Sequence, residues 1–321
     1  MILILRALGI GDLCTAVPAL RGLRAAFPDD RLALAAPRWL APLVDLTGAV
    51  DELVPVSGLA PRRWPVRGPR LAVNLHGSGP RSHRLLALAE PERLLGYACP
   101  PAGHRDGPEW NGQEHEVRRW CRLLSWYGIR SDPTDLGLAR APVRAAALAG
   151  VVPVGVTVIH PGAKAAERRW PAARFAGVAT ALRDAGHEVV VTGSAEDLPR
   201  ARAVARRAGL PASAILAGRL DTGQLAAVVA HARLVVCGDT GVGHLATAYG
   251  TPSTLLFGPV PPGQWGPPED RPWHQVIWHG DVPARPGEGG PHPALEAISV
   301  PEVLAAAGAA LDGHSRAAAA R

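Results

Sequence analysis

Lysine is almost absent from this chain: Lys164 stands alone among 34 basic residues, and all the others are arginine. With Ala, Gly and Pro abundant, the bias reads first as a mark of GC-rich coding. The formal charge of +6 still favours phosphates or an anionic membrane face as partners. No dense basic helix or aromatic-interleaved basic patch occurs, which argues against nucleic acid. Cysteine is scarce and scattered. Cys14, Cys99, Cys121 and Cys237 form no Cys-x-x-Cys pair, which argues against a zinc knuckle or a disulfide scaffold and for a reducing compartment. No apolar run reaches membrane-spanning length, and the start, Met-Ile-Leu-Ile-Leu-Arg, lacks the basic n-region of a secretory signal. The expected location is the cytoplasm, with peripheral docking at the inner membrane face as an addition. A Walker sequence is missing, which excludes a P-loop NTPase. So are any Asp-x-Asp pair and any His/Cys ligand cluster, so no metal or other cofactor is expected.

What is present suits a globular protein: 47% hydrophobic and 19% charged residues in a chain of 321, enough for about two domains. Short apolar strand candidates (2–5, 32–36, 52–56, 71–75, then 154–159, 188–192, 234–237, 253–257) alternate with helical segments. The helices are read at 13–27, 40–46, 114–127, 171–185, 221–231 and 300–311, with 313–321 as a frayed tail. Such alternation implies an α/β protein with a largely parallel sheet in each half. A Pro/Ala-rich stretch at 131–153 is the expected linker, dividing the chain into domains 1–150 and 151–321.

The most telling stretch is 234–244, Leu-Val-Val-Cys-Gly-Asp-Thr-Gly-Val-Gly-His. It reads as a buried strand, a glycine-rich turn and a helix that Asp239 or Thr240 can cap. A helix N-terminus at the carboxyl end of a parallel strand is an anion site, although a capped turn with no ligand has the same pattern. The same pattern recurs at Gly9-Ile-Gly11-Asp12. There Cys14 stands where a dinucleotide fingerprint has its third glycine, and Pro37-Arg38 replace the acidic ribose ligand, which argues against a nicotinamide enzyme. Asp12 itself fits a helix cap or a group facing a cleft. His76, Arg81 and His83 lie in a donor-rich stretch after the fourth strand, suited to an acceptor or simply solvated. His115 and Glu116 open the 114–127 helix and face either a cleft or solvent. In the second half, His160 to Lys164, Arg168 with Arg169, and the Asp239-Thr-Gly turn all fall at strand ends. Arginine forks and helix N–H groups together describe a diphosphate site. Glu196 is placed to accept from ribose hydroxyls or to favour a helix dipole. His244 is equally a packed helical histidine or a ligand contact.

These segments make a family resemblance specific. Residues 6–20, 159–171, 192–197, 238–244 and 257–266 resemble, in order, glycosyltransferase family 9, the ADP-heptose:lipopolysaccharide heptosyltransferases. The resemblance implies a GT-B fold, two Rossmann-like domains facing each other across a cleft. It implies acceptor binding in the first domain and nucleotide-sugar binding in the second. Asp12 matches the family's proposed base, Arg169 its basic residue before tryptophan, and Glu196 its acidic residue near the ribose. Asp239, Thr240, Gly241 and His244 match the diphosphate turn. The expected activity is inverting, metal-independent transfer of a heptose from an ADP-sugar to a hydroxyl of a glycan or glycolipid. Lys164, Arg168, Arg169 and the Thr240/Gly241 amides would stabilise the departing diphosphate. A sugar-nucleotide epimerase of the same fold, or a non-catalytic nucleotide-binding module, are the alternatives.

Overall fold

A computed structural model of the chain describes residues 1–60, 64–140, 154–280 and 290–319. The chain divides into two compact units, Met1–Ala139 and Arg140–Arg321. The boundary expected at 150/151 lies outside the described residues. The start of the expected linker, 131–139, is packed onto the first unit. Leu136 and Leu138 are buried there, Arg21 reaches Asp135 and the Gly137 carbonyl, and the Ala139 N–H donates to the Leu46 carbonyl at 2.9 Å.

The first unit holds five parallel strands, β1 (Ile2–Leu5), β2 (Leu32–Ala36), β3 (Glu52–Pro55), β4 (Leu71–Asn74) and β5 (Arg93–Leu95), in the order β3-β2-β1-β4-β5. All four β1 side chains are fully buried. A central parallel strand is covered on both faces, so its sequence is a continuous apolar run and not an alternation. Each such Leu or Ile contributes roughly 1.5–3 kcal/mol by leaving water. Leu3, Leu5, Ala33, Ala35, Val54 and Leu86 belong to one core, and helix Ile10–Ala26 buries Leu13, Val17 and Leu20 while packing along helix Glu116–Trp126.

The second unit repeats the plan with β6 (Thr157–His160), β7 (Val189–Val191), β8 (Leu234–Gly238), β9 (Ser253–Leu256) and β10 (His274–Ile277), all parallel, ordered β10-β9-β8-β6-β7. Its last helix, Val300–Ala319, packs on helix Ala172–Asp184 and on β8, β9 and β10. The tail expected from residue 313 is therefore corrected to helix. Gly313 is buried, and a Cβ there would lie 2.8 Å from the Pro272 carbonyl oxygen, so this glycine allows close packing and does not end the helix.

Both units are Rossmann-like. The strand order reverses between β1 and β4 in the first and between β6 and β8 in the second. In open parallel sheets ligands bind outside the carboxyl ends of the strands at that reversal.

Candidate functional site

In the first unit, the reversal is bridged by β1's continuation and the residues after β4. Gly9 is the N-cap of helix Ile10–Ala26, and Asp12 is its third residue, not its cap. Asp12 reaches back, its Oδ2 accepting the Gly9 N–H at 3.0 Å. Its Oδ1 lies 3.5 Å from Arg6 Nη2, and the side chain keeps 26% exposure. Arg6 is 1% exposed. Its Nε donates to the Asp12 carbonyl at 2.7 Å, its Nη1 to the Leu75 carbonyl, and its Nη2 to Thr15 Oγ1 at 3.2 Å and Glu116 Oε1 at 3.0 Å. Burial pulls the Arg6 pKa down to about 10, with Asp12 opposing, so the guanidinium stays charged at neutral pH. His76 is partly buried and its Nδ1 accepts the Ala7 N–H at 3.2 Å across the reversal. Burial, then Arg6, push its pKa to about 4 against the pull of Asp12. The ring is neutral at pH 7 and carries its proton on Nε2.

The other two acceptor candidates separate. The stretch after β4 is a helix, Arg81–Ala87, and not a solvated loop. Arg81 is exposed at its start, while Ser82 and His83 turn inward. His83 is 1% exposed, with Nδ1 3.1 Å from Asn74 Nδ2 and Nε2 3.0 Å from the Tyr97 carbonyl oxygen. Burial pushes its pKa to about 4. Both nitrogens are occupied, so the expectation that His83 contacts an acceptor is corrected: it is a core residue that ties the helix to β4 and to the stretch after β5.

In the second unit, the reversal is flanked by the loop after β6 and the turn after β8. His160 ends β6, buried, with Nδ1 3.0 Å from Thr192 Oγ1. Burial lowers its pKa to about 4, against Asp197. Asp197 accepts from the Ser194 N–H at 2.9 Å and Ser194 Oγ at 2.7 Å. Its carboxylate packs so closely on Gly162 that a Cβ there would come within 2.4 Å. The loops after β6 and β7 are thus locked together. Arg169 folds back on this loop, Nε donating to the Ala163 carbonyl at 2.7 Å. With the exposed Glu196, and with Asp197 and Arg200, it lines an open groove of about 350 Å³. Lys164 is exposed on the same loop.

Arg168 goes elsewhere. Its Nη1 donates to Asp239 Oδ2 at 3.1 Å, with side-chain exposures of 35% and 9%. Burial raises the Asp239 pKa and Arg168 opposes that. Asp239 is therefore engaged, and the N-cap of helix Gly241–Tyr249 is Thr240, extended and making no side-chain cap bond. The expected side-chain cap is not made; the Gly243 N–H donates to the Thr240 carbonyl at 3.0 Å, and the Gly241 and Val242 N–H groups at the helix start are the ones placed to meet an anion. Gly238 lets the turn approach: a Cβ would lie 3.3 Å from the Arg168 carbonyl oxygen. Asp239, Thr240 and His244 also border a small hollow with Trp265, whose ring meets His244 edge-on at 5.7 Å. The second unit thus gathers Arg168, Asp239, Thr240, Gly241 and His244 at one turn, and Arg169 with Glu196 at a neighbouring groove. Among the described residues no cluster of three or more His, Cys, Asp or Glu side chains is placed to hold a metal, and no helix is long and apolar enough to cross a membrane.

Arg6, Asp197 and Trp265 were not singled out from sequence as site residues, and Glu116, expected to face a cleft or solvent, is buried at 4% exposure against Arg6. The available signal for Arg6 was a charge directly after a fully apolar strand, since such a charge needs buried partners.

A profile of glycosyltransferase family 9 (heptosyltransferase) matches residues 104–282. Lipopolysaccharide heptosyltransferase 3 of Escherichia coli is 32% identical over 157 residues, 46% of this chain and 45% of that protein. The chain spans about half the length, or less, of the curated relatives it matches. Among solved structures, the E. coli ADP-heptose lps heptosyltransferase II superposes with a TM-score of 0.78 at 23% identity, covering 98% of this chain and 99% of that one. The E. coli heptosyltransferase WaaC with ADP gives 0.69 at 18% identity, covering 95% and 98%. These likenesses identify the fold as GT-B.

Proposed function

The chain belongs to glycosyltransferase family 9, and on that premise we propose that it moves a heptose from ADP-heptose to a hydroxyl of a lipopolysaccharide-type glycan or glycolipid, inverting the anomeric carbon without a metal. The observation that carries the reading is the turn after β8, where the Arg168 guanidinium, held by Asp239 at 3.1 Å, stands at a helix N-terminus with no side-chain cap. A diphosphate supplies the missing acceptors there, and cation and helix dipole both favour its charge. Relatives solved with ADP support that choice of nucleotide.

In the reaction, Asp12 takes the acceptor's hydroxyl proton as the oxygen bonds to the anomeric carbon. The bond from that carbon to the diphosphate oxygen breaks, and ADP leaves with the electron pair. A sugar hydroxyl is a poor nucleophile at neutral pH, and a base in reach is typically worth about 10²–10⁴ in rate. Arg168, Lys164 and the helix N–H groups meet the charge that grows on the leaving diphosphate. Glu196 accepts from ribose hydroxyls, and Arg169 holds the Lys164 loop. Arg81 and the Nε2–H of His76 are the acceptor contacts. The excess of arginine suits docking on an anionic inner membrane face.

The test is transfer from ADP-heptose to deacylated, heptose-deficient lipopolysaccharide core in the presence of EDTA. One ADP should be released per heptose added, with the anomeric configuration inverted by NMR. Free heptose or epimerised donor without transfer would support the epimerase alternative. ADP binding with no turnover would support a binding module.

A further inference from the structure

Behind Asp12 lies a buried charge network that the transfer steps above do not use. Arg6 Nη2 is shared by two carboxylates, Glu116 Oε1 at 3.0 Å and Asp12 Oδ1 at 3.5 Å. Glu116 is 4% exposed. The indole N–H of Trp120 donates to its Oε1 at 2.9 Å, and Arg119 donates to its Oε2. The Arg6 guanidinium also lies over the Trp120 ring, 4.7 Å from its centroid. We propose that Glu116 is a positioning residue for the transfer: by taking up part of the Arg6 charge it shields Asp12 from that cation, and by anchoring Arg6 it holds the Asp12 carboxylate toward the acceptor. This rests on Asp12 being the base.

The argument is electrostatic. A full cation beside a carboxylate lowers its proton affinity and weakens it as a base. Asp12 is faced by Arg6 from the end of β1, by His76 after β4, and by Cys14 on its own helix. Glu116 and Arg119 act on it from helix Glu116–Trp126 through Arg6. Burial drives His76 to about 4 and the Cys14 thiol to about 12, so neither changes charge near neutrality. The fixed charges are Arg6, Glu116 and Arg119. Removing the Glu116 charge leaves Arg6 acting on Asp12 alone. Removing the Arg119 charge leaves Glu116 with a stronger hold on Arg6.

These two changes should act with opposite sign. At the short separations of this network, one charge moves a neighbour's titration by on the order of one pH unit. The experiment is kcat/KM for ADP-heptose against pH, with the core acceptor saturating, whose acidic limb reports the base in the enzyme–acceptor complex. In Glu116→Gln the limb should move down by about one unit, and in Arg119→Gln it should move up. Glu116→Asp, which keeps the charge but shortens the reach, should leave the limb in place although its melting temperature falls. Limbs at the wild-type position in both Gln variants, with only melting affected, would overturn the proposal. Should Glu116→Gln not fold, the upward shift in Arg119→Gln decides alone. Asp12→Asn separates the two readings: near wild-type transfer there removes the base itself, whereas lost transfer with an unmoved limb in the Gln variants removes only the role of Glu116.

Discussion

Arg168 and Arg169 adjoin in sequence and differ in task. Arg168 reaches the turn after β8, and Arg169 clasps the backbone of the loop after β6. Arg168→Ala removes a cation from the proposed diphosphate site, and loss of a charge-assisted bond costs about 1.5–3 kcal/mol. ADP affinity measured by calorimetric titration should fall by roughly ten- to a hundredfold. The same change leaves the Asp239 carboxylate buried without its cation, so stability falls too. Adding Asp239→Asn should restore the melting temperature but not the affinity. Arg169→Ala should weaken ADP less, by loosening the loop that carries Lys164. Equal losses of affinity in the two single variants would mean that both side chains touch the nucleotide alike.

The elements that hold the site depend on glycines at close approaches. A methyl at Gly162 would sit 2.4 Å from the Asp197 carboxylate, which is itself bound to Ser194 through two hydrogen bonds. Gly162→Ala should therefore cost about 1–3 kcal/mol by overpacking, read as a lowered urea midpoint, and Gly162→Ala with Asp197→Ala should recover part of it. An unchanged midpoint in the single variant would mean that Asp197 leaves its place freely. Much of this scaffold was legible in the chain. β1, β2 and β8 are uninterrupted apolar runs, and Asp221 caps helix Thr222–Ala230 with Gln224 answering from its first turn, as its sequence suggests. Strands β5 and β10 escaped because Arg93-Leu-Leu and His274-Gln-Val-Ile are short and carry polar residues. Helix Arg81–Ala87 escaped because glycine, proline and serine ahead of it read as loop. At the site, the turn after β8 and the Gly9 to Asp12 segment could be read locally. The pairs Arg168–Asp239 and Arg6–Glu116 could not, since they join residues 71 and 110 positions apart, and only the folded sheet brings those together.

For the molecule as a whole, buried and half-buried histidines set the response to acid. Burial is the main cause in each case, lowering His76, His83 and His160 to about 4 and His274 to about 3. In the unfolded chain each titrates near 6.5. Above that pH both states are neutral at these sites. As pH falls from about 6.5 toward 4, the unfolded chain takes up protons that the folded one refuses, so stability drops over that window, and His274 carries the loss on toward about 3. His76 and His83 belong to the first unit and His160 and His274 to the second, so both units should respond. Calorimetric melting from pH 8 to 4.5 should be flat above about pH 7 and fall steadily below, and His274→Asn should lessen the fall of the second unit's transition. A melting temperature constant between pH 7.5 and 5 would contradict neutral rings at these four positions.

The exposed side chain on the loop after β6 has a practical consequence. Lys164 is the chain's single lysine, and the amino group of Met1 is paired with Asp30 at 3.0 Å. An amine-directed acylating reagent therefore meets one lysine side chain in this chain. Peptide mass mapping of the acylated residue, with and without ADP, becomes a footprint of donor occupancy that needs neither an acceptor nor turnover. Slower acylation in ADP but not in UDP would place the adenine nucleotide beside this loop. Equal acylation under all conditions would put the diphosphate out of reach of Lys164.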